Sequence, residues 1–172
     1  ATTSLCPRGG VGSRSSRTGI PGLNREKQMT QSGGELPKRR YSLDEQVKAR
    51  GKVVLIVDDS GMMRLTVREV TTSLGYDPIE AASGEEATAL ADYYEPVLIM
   101  LDIQMPGAGG LQSLEQMRGN PKLVSTPVVM LTVESQRQSI QTAIGLGAFD
   151  YLIKPVSVAI LRERMTAALK AE

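Results

Sequence analysis

The sequence predicts a doubly wound α/β domain built on a five-stranded parallel sheet. Five short runs of apolar or β-branched residues alternate with longer stretches whose apolar residues recur at helical spacing. This alternation is typical of βαβ units, which place successive strands side by side in a parallel sheet. Several runs are apolar throughout rather than at every second residue, as expected for strands that are covered by helices on both faces.

The five predicted strands begin at Lys52. The first, third and fourth runs are the most continuously apolar and are expected in the centre of the sheet. The second run is the most polar, which favours an edge position. In chain order the runs are KVVLIV, DPIEAA, VLIMLD, TPVVMLT and FDYLI. Phe149, which opens the last run, is expected in the core.

Five predicted helices separate and follow these strands. The fourth carries Ile140 and Ile144 at i, i+4 spacing, which predicts an apolar side packed on the sheet. The last carries Arg162 and Arg164, which are expected at the surface. The helical stretches cover roughly residues 60–74, 84–94, 110–118, 135–146 and 157–170.

Residues 1–50 are predicted to be a basic leader or linker, and residues 51–172 the folded domain. The leader holds 10 Lys/Arg against 4 Asp/Glu, whereas the remainder holds 10 against 15. Because residues 6–22 are rich in Gly, Ser, Arg and Pro, disorder is expected up to about residue 40. Ser42 followed by Glu45 predicts a short helix over 42–50. The leader is interpreted as a solvated tail, with contact to nucleic acid or anionic lipid as the alternative; the missing initiating Met is compatible with a partly expression-derived origin.

Composition excludes several classes of function. No run approaches the roughly 18 apolar residues of a membrane helix, and no signal-peptide core is evident. The single cysteine, Cys6, cannot form an internal disulfide, which suits a cytoplasmic location. The chain has no histidine, so a histidine base, zinc ligand or phosphate carrier would have to come from another molecule.

Polar side chains stand where the predicted strands end. Asp58 and Asp59 follow the first strand, Asp102 ends the third, Thr132 ends the fourth and Lys154 follows the fifth. The carboxyl ends of parallel strands share one edge, where such sheets bind ligands. Clustered carboxylates repel one another, and a hard divalent cation such as Mg²⁺ relieves that repulsion. A carboxylate beside a metal ion and an ammonium group is suited to accept a phosphoryl group. Each residue alone is more typical of a cap or turn, but the set together predicts a site.

The motifs VLIVDDS, LIMLDIQMPG, VVMLT and FDYLIKP together resemble the receiver domain of two-component response regulators over residues 52–170. The resemblance implies a flavodoxin-like strand order of 2-1-3-4-5. It also implies that Asp102 is the phosphoacceptor and that Mg²⁺, or Mn²⁺, is held by Asp59, Asp102 and the backbone carbonyl of Gln104, with Asp58 acting mainly through water.

The remaining site residues follow from the same resemblance. Thr132 matches the hydroxyl that moves to the phosphoryl oxygen, and Lys154 matches the family's ammonium group. Tyr151 matches the aromatic residue that swings inward, although an edge-strand aromatic of purely structural role is the alternative. Pro155 matches a proline whose preceding peptide bond is often cis in the family.

Two positions depart from the family pattern. Val133 stands where the residue after the threonine is usually small, and its branched side chain is expected to narrow access to the phosphoryl group. Gly109 stands where the common motif MPGMDG has Asp, which predicts a changed loop or helix cap. Gln104 and Glu134 occupy the positions at which the family tunes the lifetime of the phosphoryl group.

The function implied is a phosphorylation-operated signalling switch rather than an enzyme that acts on other molecules. The donor would be a histidine kinase or a histidine phosphotransfer protein, and the face of helix 4, strand 5 and helix 5 would act on a downstream protein or a fused output domain. Direct nucleic-acid binding and membrane attachment are not expected, and oligomeric state is left open.

Two alternatives remain. One is a degenerate receiver that serves only as a binding module, which Val133 favours. The other is a Mg²⁺-dependent phosphatase of the haloacid dehalogenase type. That family needs a second Asp two residues after its nucleophile, whereas Asp102 is followed by Ile103 and Gln104.

Overall fold

The protein is described from a computed structural model that covers residues 41–133 and 137–171. The disorder expected for residues 1–40 and the role expected for Glu134 lie outside the described residues. Eleven elements follow in chain order: α1 (Tyr41–Arg50), β1 (Val53–Val57), α2 (Gly61–Ser73), β2 (Asp77–Ala81), α3 (Gly84–Tyr94), β3 (Leu98–Asp102), α4 (Gly110–Arg118), β4 (Val128–Val133), α5 (Arg137–Gly145), β5 (Asp150–Lys154) and α6 (Val158–Leu169).

The sheet has five parallel strands in the order β2-β1-β3-β4-β5. The predicted doubly wound fold and the strand order implied by the resemblance are therefore confirmed. The polar second strand lies at one edge, and the apolar strands β1, β3 and β4 lie in the centre. Every residue of β1 and β3 is buried, as expected for strands covered on both faces.

Two apolar layers cover the sheet. On one face, α3, α4 and α5 pack against alternate residues of β1, β3 and β4. On the other face, α2 and α6 pack against the intervening residues. This arrangement leaves the carboxyl ends of the strands, between the two helical layers, as the place where polar side chains can converge.

The predicted short helix near residues 42–50 is present as α1, and it packs on the domain. Val47 contacts the apolar layer beneath α3, and the Lys48 ammonium lies 4.7 Å from the centre of the Tyr93 ring. The Arg50 guanidinium lies 3.2 Å from the Asp77 carboxylate. This helix therefore covers the amino-terminal side of the sheet, away from the strand ends that carry the acidic residues.

Two expected core positions are wrong. Phe149 is 44% exposed, because it precedes edge strand β5 and lines an open groove at the amino-terminal edge of the sheet. Ile144 is 56% exposed, and α5 instead buries the neighbouring Ala143 against the sheet. A short helix with one small buried residue lies close to the sheet, and this leaves Ile144 on its outer side.

No helix among the described residues combines the length and the apolar character needed to cross a membrane.

Candidate functional site

The strand register brings the predicted site residues to one edge of the sheet. Asp102 lies beside Leu131 of β4, which directly precedes Thr132. Val133 lies beside Lys154 of β5. Asp58 and Asp59 directly follow β1, which pairs with β3 along its length. The chain thus places carboxylates, hydroxyl and ammonium at the carboxyl ends of four adjacent strands.

Asp58, Asp59 and Asp102 form a compact acidic cluster. One carboxylate oxygen from each residue lies within 4.8 Å of those of the other two. Asp58 is 0% exposed and Asp102 is 3% exposed, whereas Asp59 is open to solvent. Carboxylates buried this closely require compensating charge.

Lys154 supplies one compensating charge from the end of β5. Its ammonium group lies 2.7 Å from Asp58 Oδ2 and 3.0 Å from Asp102 Oδ2. The Lys154–Pro155 peptide bond that follows is cis. A single ammonium group therefore bridges the two buried carboxylates.

Backbone amides hold the other oxygens of the same two carboxylates. Asp58 Oδ1 accepts a hydrogen bond from the Ser60 amide at 2.9 Å. Asp102 Oδ1 accepts one from the Gln104 amide at 3.1 Å. These local bonds fix the orientation of both carboxylates before any ligand arrives.

An arginine that the sequence analysis did not single out braces the acidic pair. Arg64 Nη1 donates to the carbonyl oxygens of Asp58 at 2.7 Å and Asp59 at 3.2 Å. Its Nε donates to Glu80 Oε2 at 3.1 Å, on edge strand β2. The partners are 5, 6 and 16 residues away in sequence, so no local motif reveals this contact.

The charges of the cluster perturb one another. Burial raises the pKa of Asp102, and the nearby Asp58 carboxylate adds to the rise, while the hydrogen bond from Lys154 opposes it. Burial alone would lower the pKa of Lys154, but its bonds to Asp58 and Asp102 raise it on balance. The negative charge at Asp102 is therefore incompletely compensated by the protein alone.

The donor set fits a hard divalent cation. Its ligand atoms are all carboxylate oxygens, which Mg²⁺ prefers, and three carboxylates face one ammonium group. Because the pKa of Asp102 is raised, an additional positive charge at this place would stabilise its ionised form.

The incompletely compensated negative charge at Asp102 predicts that Asp102→Asn stabilises the metal-free protein. The folded-state pKa of Asp102 lies above its ordinary value of 3.8, so the wild type loses stability as pH rises through that window. At pH 7 we expect the variant to be more stable by about 1 kcal/mol, which raises the melting temperature by roughly 3 °C. Thermal unfolding from pH 4 to pH 8 in EDTA measures the difference, which should grow with pH. A difference that shrinks as pH rises would contradict the assignment.

The other predicted residues lie near the same edge but differ in exposure. Thr132 is buried at the end of β4, where its hydroxyl donates to the Val133 carbonyl at 3.2 Å. Val133 is half-buried, and Gln104 is exposed at the start of the loop after β3. Tyr151 is 39% exposed on edge strand β5.

Fold and site together define a class: an α/β domain whose doubly wound sheet carries an acidic pocket with a bridging lysine at its carboxyl edge. Comparison with known proteins identifies the family within this class. Residues 54–166 match the response regulator receiver domain. The chain belongs to this family, whose members serve phosphorylation-based signalling in two-component systems and bind Mg²⁺ in an acidic pocket.

Individual relatives cover the same part of the chain. A chemotaxis protein CheY homolog of Campylobacter jejuni is 33% identical over 118 residues, which are 67% of this chain and 91% of the relative. The phosphate regulon transcriptional regulatory protein PhoB of Pseudomonas aeruginosa is 32% identical over 120 residues, 70% of this chain but 52% of that protein. The solved structure of chemotaxis protein CheY4 of Vibrio cholerae superimposes with a TM-score of 0.64 at 31% identity, covering 68% of this chain and 98% of that one.

Proposed function

We propose that the protein is a phosphorylation-operated switch in which Asp102 accepts a phosphoryl group. The observation that carries this proposal is the buried Asp102 carboxylate, held 3.0 Å from the Lys154 ammonium within a cluster of three carboxylates. A purely structural ion pair needs one carboxylate for one ammonium. Three carboxylates gathered at the ligand-binding edge of the sheet instead suit a site for a metal ion and a phosphoryl group.

In this proposal Mg²⁺ or Mn²⁺ is held by Asp59, Asp102 and the backbone carbonyl of Gln104, with Asp58 acting through water. When bound, the cation stabilises negative charge on the oxygens of the transferring phosphoryl group. Asp58 and Asp102 each have one oxygen at a backbone amide and the other at Lys154, so Asp102 would have to share an oxygen with the cation. Asp59 is exposed and so can reach an incoming ion.

The residues of this chain divide the transfer between them. An Asp102 carboxylate oxygen forms the new O–P bond while the N–P bond of a donor phosphohistidine breaks, and the released imidazole takes up a proton. Lys154 neutralises charge on the acylphosphate that forms. The donor in this proposal is a histidine kinase or a histidine phosphotransfer protein, since the phosphohistidine cannot come from these 172 residues, which contain no histidine.

The output step of the proposal uses Thr132 and Tyr151. After phosphorylation the Thr132 hydroxyl moves to a phosphoryl oxygen, and Tyr151 turns inward from its exposed position. Tyr151 lines a groove of about 360 Å³ between α5 and β5, together with Ile140 and Ile153. Its movement would reshape the face formed by α5, β5 and α6, a two-state response to a local change of charge.

A downstream protein or a fused output domain would recognise that face. Direct binding of nucleic acid or membrane by this domain, and catalysis on other substrates, are not part of the proposal. We assign residues 51–172 to the receiver and residues 1–50 to a leader or linker. A reducing, cytoplasmic site of action fits the lone Cys6.

Incubation with acetyl phosphate and Mg²⁺, followed by intact-mass measurement, tests the proposal. We expect the wild type to gain one phosphoryl group, and we expect no gain in EDTA or in Asp102→Asn. Absence of an adduct in folded, metal-binding protein would favour the binding-module alternative. Steady hydrolysis of small phosphomonoesters would instead favour the phosphatase.

Val133→Ala is expected to change the rate of phosphorylation, of dephosphorylation, or of both, by up to about tenfold, which is about 1.4 kcal/mol in the activation barrier. Val133 pairs with Lys154 in the register of β4 and β5, and in this proposal its branched side chain narrows access to the phosphoryl group. Removing it opens access for the donor and for water. Stopped time courses analysed by intact mass measure both rates, and unchanged rates would contradict the steric argument.

A further inference from the structure

The loop between β3 and α4, residues 103–109, follows Asp102 and carries Gln104. Helix α4 begins after Gly109, which has no side chain and so makes no side-chain cap. The serines that precede α2, α3 and α6 each accept a hydrogen bond from a backbone amide of the first turn: Ser60, Ser83 and Ser157. Among the N-caps that the structure describes, Gly109 is therefore the one without a side-chain hydrogen bond to the first turn of its helix.

A residue of another helix anchors the loop instead. Glu85, in the first turn of α3, accepts a hydrogen bond at Oε1 from the Ala108 amide at 3.1 Å. The same oxygen lies 3.1 Å from the position that a Cβ would take on Gly107, whose φ is +77°. Only a residue without a side chain fits there easily. The Glu85 carboxylate thus lies directly against the backbone of two consecutive loop residues.

Glycine also brings the first turn of α3 into contact with the loop. A Cβ added to Gly84 would meet the Ala108 carbonyl oxygen and Ser113 Oγ. Helix and loop backbone therefore pack without intervening side chains at this point, and Glu85 extends from the contact to the next amide.

Other amides at the start of α3 are satisfied by Ser83 and Glu86 rather than by Glu85. Ser83 Oγ accepts from the Glu86 amide at 3.2 Å, and Glu86 Oε2 accepts from the Ala82 amide at 2.9 Å. Hydrogen bonds from its own amide, from the Ala108 amide and from the Ser83 side chain lower the pKa of Glu85. The exposed side chain is thus a charged acceptor at neutral pH that is shared between the start of α3 and the loop.

We propose that Glu85 is a positioning residue that fixes the loop carrying Gln104 and so sets metal affinity and the rate of phosphoryl acceptance at Asp102. The inference rests on the proposed function. Gln104 is held to Asp102 through its amide, and three residues separate it from Ala108, so disorder at Ala108 reaches the site along a short stretch of backbone. Glu85 acts only through the backbone it holds.

Three substitutions test this inference. Glu85→Ala should weaken Mg²⁺ binding and slow phosphorylation by acetyl phosphate by about fivefold each, the loss expected from one ordinary hydrogen bond. Glu85→Gln keeps an acceptor oxygen and should stay within about twofold of the wild type. Glu86→Ala is the matched control, since it removes the same charge from the same helical turn but touches Ala82 rather than the loop. Isothermal titration calorimetry and intact mass give the two quantities, and amide hydrogen exchange of residues 103–109 reports the loop itself.

A compensating substitution makes the test stricter. Gly109 has an ordinary φ of −62°, and a Cβ there would lie 3.5 Å from the Ile103 carbonyl oxygen, a normal contact. Gly109→Asp can therefore supply the missing N-cap. In the Gly109→Asp background, Glu85→Ala should reduce the Mg²⁺ affinity by less than half as much as it does in the wild-type background.

The inference is overturned if Glu85→Ala leaves loop exchange and Mg²⁺ affinity unchanged, or if Glu86→Ala has the same effect. It is also overturned if Gly109→Asp gives no compensation. If the wild type takes up no phosphoryl group, the proposed function fails on its own, because exchange of the loop still decides whether Glu85 holds it.

Discussion

Lys154→Met should destabilise the metal-free protein by about 3 kcal/mol at pH 7 and abolish efficient phosphorylation. The ammonium group is 2.7 Å from Asp58 and 3.0 Å from Asp102, both of which are buried. Removing one partner of a buried ion pair leaves uncompensated charge, which typically costs about 3–5 kcal/mol. We choose the lower end because the Lys154 side chain is partly open to water.

Urea unfolding followed by circular dichroism measures this loss, since the chain has no Trp to serve as a fluorescent reporter. Lys122→Met is the matched control. That lysine pairs with Asp92 at 3.5 Å and Glu95 at 3.8 Å on an exposed surface, where such pairs contribute roughly 0–1 kcal/mol. Equal losses in the two variants would show that the bridge at the strand ends is no more than a surface ion pair.

The same reasoning predicts coupling between Lys154 and Asp102. Once the ammonium is gone, Asp102→Asn removes one of the two buried carboxylates that it had bridged. Lys154→Met should therefore cost less in the Asp102→Asn background than in the wild type, by about 1 kcal/mol or more. Added Mg²⁺ should recover more stability in Lys154→Met than in the double variant, because the double variant has lost a carboxylate ligand.

The residues that meet at the carboxyl ends of the strands could be predicted from the sequence, for a physical reason. Parallel strands deliver their carboxyl ends to one edge, so polar residues at successive strand ends must meet there whatever the loops do. Asp58, Asp102 and Lys154 come together in this way: the Lys154 ammonium lies 2.7 Å from the Asp58 carboxylate and 3.0 Å from the Asp102 carboxylate. Both the identity of the strands and their alternation with helices are readable from short apolar runs.

Side-chain contacts between separate elements could not be predicted from the sequence in this way. Arg64 reaches Glu80 across α2 and β2, and Glu85 reaches Ala108 across 23 residues. Neither pair shares a local motif, since each depends on how close two elements pack. The error at Ile144 has the same origin: the i, i+4 spacing of Ile140 and Ile144 does not show which side of α5 faces the sheet, and the residue that this helix buries is Ala143.

The sequence likewise does not show where a glycine lets two elements pack closely. Gly110 gives the clearest test of such a contact. Gly110 opens α4 and is buried against the end of β3. A Cβ added there would meet the backbone carbonyl of Asp102 and lie 2.9 Å from Ile103 Cα. Because all of these atoms belong to the backbone, no flexible side chain can move aside.

Gly110→Ala should therefore destabilise the protein by about 3 kcal/mol, the upper range for forcing extra volume into a packed interior. It should also slow phosphorylation, because relief of the clash requires α4 or the Asp102 backbone to move. Gly145→Ala is the control: its Cβ would meet nothing within 4 Å, and replacing this helical glycine should be neutral or stabilising by up to about 1 kcal/mol. Urea unfolding compares the two variants, and a loss at Gly110 no greater than that at Gly145 would mean that α4 can withdraw from the phosphoacceptor strand at little cost.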